Sequence, residues 1–402
     1  MTINTGWVII IMETVYDNKE HCYGCNACMN VCPMKAITME EDEEGFIHPM
    51  IEKEKCIDCL ECIDVCPIFQ EEKVEIFEQK IFGVKHKDEG VRLSSTSGGM
   101  FTAISDHILE QDGVIYGAAF DNNLKVCHHR AESQKKRDEM KGSKYVQSDT
   151  GYTFTNVKKD LREGRLVLYT GTPCQIAGLK GYLAREDTSN LVLCDIICHG
   201  VPSDMMWREY RQLVKRKKHE IKIHYFRTKI NGWHSMTSKN VYTTGKEDYK
   251  SVLSQVHMNL FLKDLILRPC CYRCKYASIN RNSDFTIADF WGVERAAPGI
   301  DDNKGISLVF LNTQKGEDVF ELIKYNLEVF ESSKECCEQN NLKQSTKRPP
   351  LRDKFWSDYK NYGYEYISKK YADLTIQNRL ETYAYYKTRR VKGFLKSLLI
   401  LK

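Results

Sequence analysis

A chain of 402 residues, 42% hydrophobic and 28% charged, has the balance of a soluble globular protein of about two to three domains, which excludes wholesale disorder, collagen and membrane-spanning classes. Its 59 basic and 55 acidic residues leave a net charge of +4, too near balance to argue for nucleic acid or an acidic membrane as partner. The outlier is 17 cysteines. Residues 1–19 read as an N-terminal extension whose longest apolar run, residues 7–12, falls far short of the roughly 20 residues that a bilayer span requires. No basic residue precedes that run and Glu13 follows it, which is wrong for a secretory signal, so the expected location is the cytoplasm.

In a reducing cytoplasm disulfides do not persist, and a cysteine-rich chain holds metal or does redox chemistry. Residues 20–70 carry eight cysteines as two copies of one spacing: Cys22, Cys25, Cys28, Cys32-Pro33 and Cys56, Cys59, Cys62, Cys66-Pro67. Three cysteines at steps of three wrap one tight loop round three corners of an iron–sulfur cube, and the fourth points at the other cube. The ligand sets therefore cross over: Cys22, Cys25, Cys28 and Cys66 for one [4Fe–4S] cluster, and Cys56, Cys59, Cys62 and Cys32 for the other. A pair of zinc sites is the alternative, but zinc favours two C-x2-C pairs rather than two unbroken triplets. Between the halves, residues 36–39 and 46–51 read as strands joined by an acidic turn containing Gly45. This segment resembles a bacterial-type two-cluster ferredoxin, an α+β unit.

Beyond residue 70 an acidic link (71–80) leads to alternating elements. Residues 81–85 read as a strand, 98–111 as a helix, 113–120 as a strand and 152–162 as a helix. Strand 166–169 runs into Gly171-Thr172-Pro173-Cys174 and helix 175–183; strand 191–197 runs into Cys198-His199-Gly200, with a helix from about Ser203. Strand, glycine turn and helix in repetition predict a larger α/β domain with crossover helices from about residue 81 to 330. Ligands of open α/β sheets gather at the carboxyl ends of strands, where Cys174 and Cys198 fall. Cys271 and Cys274 add a C-x2-C pair, making four thiolates, the number one more [4Fe–4S] cluster takes. That pair alone is equally a redox dithiol or half a zinc site. Cys194, Cys127, Cys270, Cys336 and Cys337 read as small buried hydrophobes. The basic, aromatic run at 211–229 reads as a solvated helix face followed by a strand, and His199 as a turn-capping side chain or a proton donor. Residues 343–402 form a basic, aromatic, helix-prone tail, suited to partner docking or to a membrane surface.

Several phrases together are similar to one family. They are Ser-Ser-Thr-Ser-Gly-Gly (94–99), Gly-Ser-Lys-Tyr-Val-Gln-Ser (142–148), Gly-Thr-Pro-Cys-Gln-Ile-Ala-Gly-Leu (171–179), Cys-His-Gly-Val-Pro-Ser (198–203), Cys-Tyr-Arg-Cys (271–274) and Ala-Asp-Phe-Trp-Gly (288–292). They resemble the coenzyme F420 hydrogenase/dehydrogenase beta-subunit family, here with a fused ferredoxin. The resemblance implies an N-terminal domain at 81–160 and a C-terminal flavin and cluster domain at 161–342. It also implies FAD held by Ser94, Ser95, Ser97, Gly98, Gly99, Lys144, Thr170, Gly171, Thr172 and Gln175, and a third cluster on Cys174, Cys198, Cys271 and Cys274. Where the family usually has Gly-Asp-Phe-Trp-Gly, this chain has Ala288. The function so implied is an iron–sulfur flavoprotein oxidoreductase passing electrons between a two-electron carrier, coenzyme F420 or another, and one-electron partners, either a redox protein or a small carrier. The alternative is a non-catalytic electron-relay subunit of a larger redox complex. The motifs single out no catalytic residue.

Overall fold

The computed structural model describes residues 15–16, 18–70, 77–337 and 339–374. In the amino-terminal part, β1 (Ile37–Glu41) pairs antiparallel with β2 (Ile47–Ile51), Ile37 opposite Ile51, as the two short apolar runs predict. Gly45 turns the hairpin at φ 77°, and a Cβ there would lie 2.2 Å from Met205 Cβ, so only glycine suits this turn. Short helices α1 (Ala27–Val31) and α2 (Glu61–Asp64) each start inside a cysteine triplet.

The larger part begins with β3 (Lys80–His86), α3 (Glu89–Ser94), α4 (Met100–Glu110), β4 (Val114–Phe120), β5 (Val126–Ala131), α5 (Gln134–Asp138) and α6 (Thr153–Arg162). It continues with β6 (Val167–Gly171), α7 (Pro173–Tyr182), β7 (Leu191–Ile196), α8 (Asp204–Lys217), β8 (Ile221–Thr228), β9 (Thr237–Tyr242), β10 (Glu247–Asp248) and α9 (Val252–Leu262). Last come β11 (Phe285–Asp289), β12 (Ser307–Leu311), α10 (Gln314–Ile323), β13 (Leu327–Ser332) and α11 (Arg352–Tyr371), broken at Gly363. Eight strands make one sheet in the order β13-β3-β12-β11-β7-β6-β4-β5. Its centre, β11-β7-β6-β4, is parallel, and the flanking pairs are antiparallel, so the sheet is mixed rather than built only from crossovers. Strands from both sides of residue 160 share it.

Alternation along the central strands sets two cores. Ile115, Leu168 and Val192 face α4 and α10. Tyr116, Tyr169 and Leu193 face α6 and α7, and there Cys25, Ala27 and Val65 of the amino-terminal part join the same core. The ferredoxin-like segment thus packs directly on α7, whose Gly181 leaves room for the Val65 carbonyl. A second sheet, β10-β9-β8, lies against α8, α9 and α11. Strands β5 and β9 to β13 were not foreseen; the run Leu308-Val309-Phe310-Leu311 in β12, wholly buried, is the signal that marks one of them. Helix α7 starts earlier than predicted, because Thr172 and Gln175 form a capping box with Pro173 in the first turn. Among the described residues no helix is long and apolar enough to cross a membrane. The predicted tail from residue 375 onward, the apolar run 7–12 and link residues 71–76 lie outside the described residues.

Candidate functional site

Each cysteine triplet is shaped by left-handed backbone on both sides of its middle cysteine. Gly24 (φ 62°) and Asn26 (φ 65°) flank Cys25; Asp58 (φ 53°) and Leu60 (φ 63°) flank Cys59. Holding three non-glycine residues there costs about 1 kcal/mol or more each. The repetition in both halves marks it as part of the thiol arrangement. At Gly24 the requirement is also spatial, since a Cβ would come within 2.8 Å of Arg268 Nη1. Backbone N–H groups donate to sulfur at Gly24 to Cys22 (3.4 Å) and Ala36 to Cys32 (3.3 Å).

Cys22, Cys25, Cys28 and Cys66 wall one cavity, together with Tyr23, Ala27 and Ile68. Cys62 interacts electrostatically with Cys59, Cys32 and Cys56. The fourth cysteine of each run therefore stands with the other run's triplet. Burial and the neighbouring Cys66 push the Cys25 thiol up to about 12, and burial likewise takes Cys66 up to about 12. A cation bound to these sets must displace their protons.

A second cavity, with about 480 Å³ of empty space partly open to solvent, is walled by Cys174, Cys198, Cys271 and Cys274. Cys174 sits in the first turn of α7, Cys198 follows β7, and Cys271 and Cys274 come from the turn at Pro269–Arg273 and the residue after it. Three chain regions far apart in sequence thus converge. Cys270, which sequence reasoning set aside, also lines this cavity and hydrogen bonds to Cys271; its adjacency to the C-x2-C pair was the available signal. His199 lines it too, its Nε2 2.5 Å from Asp264 Oδ1 and its Nδ1 beside Asn341. Cys194 is buried inside β7, away from the cavity. Tyr23 borders both cavities and packs on Tyr276 with ring centroids 5.5 Å apart. No three His, Cys, Asp or Glu side chains among the described residues crowd round one point as the ligands of a single ion do.

Of the ten residues that the resemblance assigns to a flavin, Thr170, Gly171, Thr172 and Gln175 lie at the end of β6 and the start of α7, whereas Ser97 and Gly98 lie against β3, β11 and β12. The Ser143 N–H donates to Thr96 Oγ1 (3.0 Å), joining loops 94–99 and 142–144. Thr170 approaches Gly117 beside Met140, two residues before the Gly142 turn. Gly98 is needed for packing, because a Cβ would lie 2.1 Å from the Val84 carbonyl, and Gly99 (φ 99°) opens α4. Lys144 Nζ donates to the carbonyls of Glu139 and Lys141, and burial pulls its ammonium down to about 7. Lys229, which the sequence did not single out, donates to the Arg92 and Ser97 carbonyls and is likewise drawn to about 7 by burial. The hydroxyls of Ser94 and Ser95 donate to the Val91 carbonyl and that of Ser97 to the Ile306 carbonyl. Thr172 and Gln175 cap α7, with Gln175 Nε2 donating to the Ser148 carbonyl.

Compared with known proteins, residues 21–69 match the family described as 4Fe-4S dicluster domain. Residues 164–335 match the family described as the carboxyl terminus of the coenzyme F420 hydrogenase/dehydrogenase beta subunit. Among solved structures the chain is similar to one from the xenon-derivatised F420-reducing [NiFe] hydrogenase complex of Methanosarcina barkeri, at 15% identity, over 73% of this chain and 88% of that chain, with a TM-score of 0.43. No curated protein matches it.

Proposed function

We propose, on the premise that this chain joins a 4Fe–4S dicluster domain to the carboxyl-terminal domain of the coenzyme F420 hydrogenase/dehydrogenase beta-subunit family, that it is an oxidoreductase built round three [4Fe–4S] sites in a row. The outer site is Cys32, Cys56, Cys59 and Cys62; the middle one is Cys22, Cys25, Cys28 and Cys66; the inner one is Cys174, Cys198, Cys271 and Cys274. The observation carrying this reading is that cysteines from different parts of the chain wall each of two cavities which share Tyr23 as a common border: Cys22, Cys25 and Cys28 with Cys66 in one, and Cys174 and Cys198 with the 270–274 turn in the other. The donor sets fit: thiolates in fours are what such clusters take. Cys59 is exposed, which opens the outer end of the row to a one-electron partner.

The finer reading adds FAD in the cradle between loops 94–99 and 142–144 and the turn 170–175, with a coenzyme F420-like molecule or another two-electron carrier as its counterpart. Bound clusters would carry single electrons, and bound flavin would exchange an electron pair for single electrons. The chain's own part is positional. The amino end of α4 and the ammonium groups of Lys144 and Lys229 favour an anionic group at the cradle. Tyr23 and Tyr276 cover the space between the middle and inner sites. One observation favours the relay alternative: the Ser94, Ser95, Ser97 and Gln175 side chains are already hydrogen bonded within the protein.

The test is iron, acid-labile sulfide and released flavin per chain after anaerobic purification. About twelve irons support three clusters, and about eight support the amino-terminal pair alone. Flavin with diaphorase activity identifies the oxidoreductase; clusters without flavin identify the relay. Colourless, zinc-bearing protein without sulfide sinks both.

A further inference from the structure

Four arginines are buried among the described residues: Arg92, Arg137, Arg268 and Arg352. Three have carboxylate partners, Asp302 for Arg92, Asp106 and Asp138 for Arg137, and Glu44 for Arg352. Arg268, 1% exposed, forms no ion pair with any carboxylate among the described residues. Its Nε donates to the Cys22 carbonyl (2.7 Å), Nη1 to Gln147 Oε1 (3.0 Å) and Nη2 to the Ile47 carbonyl (2.9 Å), and Nη2 also lies 3.4 Å from the His48 ring nitrogens. Asp42, the carboxylate in this region, already accepts from the Glu44 and Phe46 N–H groups and faces His48 Nε2 at 3.3 Å.

An arginine never releases its proton, and a buried cation without a nearby anion is costly. The position of Arg268 says where the anion lies. The residue lines the inner cavity, precedes Cys270 and Cys271 by two and three positions, and its side chain reaches back to Cys22 of the middle set. A cube held by four thiolates is an anion, and this arginine stands against both sets: it lines the inner cavity and its guanidinium touches the backbone of Cys22, with Cys22, Cys270 and Cys271 as its charge neighbours.

We propose that Arg268 is the shared counter-ion of the middle and inner cluster sites, a fixed positive charge set against both that makes them easier to reduce than the outer site. The inference rests on the cluster reading above. It follows from the dependence of cluster potential on local charge, and the group acts on the clusters through its charge, so it is a positioning residue and not a catalytic one.

The experiment is an anaerobic redox titration of the full chain followed by electron paramagnetic resonance, with iron and sulfide counted in each sample. In Arg268→Gln, with clusters retained, two of the three signals are expected to shift to lower potential by a tenfold change in the reduction equilibrium or more, about 59 mV for one electron. The third signal stays in place, and Arg268→Lys restores most of the shift. Midpoints in Arg268→Gln equal to wild type would overturn the proposal. Should Arg268→Gln lose iron, the lysine variant decides: full iron in Arg268→Lys supports a charge role, and loss in both overturns it in favour of a purely structural strut. Wild-type protein lacking iron and sulfide instead sinks the underlying cluster reading before any variant is made.

Discussion

Three histidines are buried with one ring nitrogen or both committed to a neutral tautomer. His128 Nε2 donates to the Thr170 carbonyl while Nδ1 accepts from the Ser148 hydroxyl. His224 Nδ1 donates to Asn240 Oδ1 and His257 Nε2 to the Tyr145 carbonyl, each leaving its second nitrogen buried without a partner among the described residues. A second N–H would have nothing to bind, and burial lowers the three from the usual 6.5 to about 4, about 3 and about 4 respectively. Because the unfolded chain takes up these protons first, stability falls as pH drops below about 6.5, by up to ~1.4 kcal/mol per unit for each histidine, and it is fully present above that pH. Denaturant unfolding at pH 7.5, 6.5 and 5.5 measures the slope. The His224→Gln variant should lose up to ~1.4 kcal/mol per unit of it, whereas an unchanged slope would contradict the buried neutral ring.

At the scale of elements, local rules account for starts and faces well. Helix α8 is capped by Ser203, whose hydroxyl accepts from the Met206 N–H. It buries Met206, Trp207, Tyr210, Leu213 and Val214 and places Lys215, Arg216 and Lys217 in the last turn, where cations suit the helix dipole. The basic run at 211–229 is therefore a helix end followed by β8, as the sequence suggested. Ser203→Ala should destabilise by about 1 kcal/mol, through loss of a cap that follows the Cys198 turn. Thermal unfolding checks it, and an unaltered midpoint would mean that the cap contributes nothing. Strands were harder to read. Short strands such as β5 and β13 carry few alternations, and their pairing partners β4 and β3 are set by non-local contacts that no window of sequence contains.

For the molecule as a whole, the two parts are interlocked by polar contacts over long sequence separations. Arg352 Nη1 donates to Glu44 Oε1 (2.9 Å), and the same guanidinium reaches the Leu267 carbonyl and the Tyr272 hydroxyl. Arg208 forks onto Glu41 (2.7 and 2.8 Å), Asn26 donates to Asp149 (2.9 Å), and the Thr150 hydroxyl donates to the Cys25 carbonyl (3.0 Å). Arg352→Ala would strand Glu44, whose pKa burial already raises despite its partner, and should cost about 3 kcal/mol. Both parts should then still melt in one transition at a lower temperature, followed together by far-ultraviolet dichroism and cluster absorbance. Two separated transitions in the wild type would refute the interlock.

Spacing in the sequence was enough to pick out the eight amino-terminal cysteines of the 4Fe–4S dicluster domain, because the reach of a short loop round a cube is a local constraint. The hairpin turn at Gly45 and the place of Cys198 just after a strand were legible for the same reason. What only the tertiary structure decided is proximity between distant segments: that β11 lies between β7 and β12, that Cys270 joins the inner thiols, that Lys229 sits under the Ser97 loop, and that Arg268 reaches Cys22. Chain connectivity places no limit on which of these meet. Burial of two sheet faces and the need to satisfy buried charge select the one arrangement that holds them.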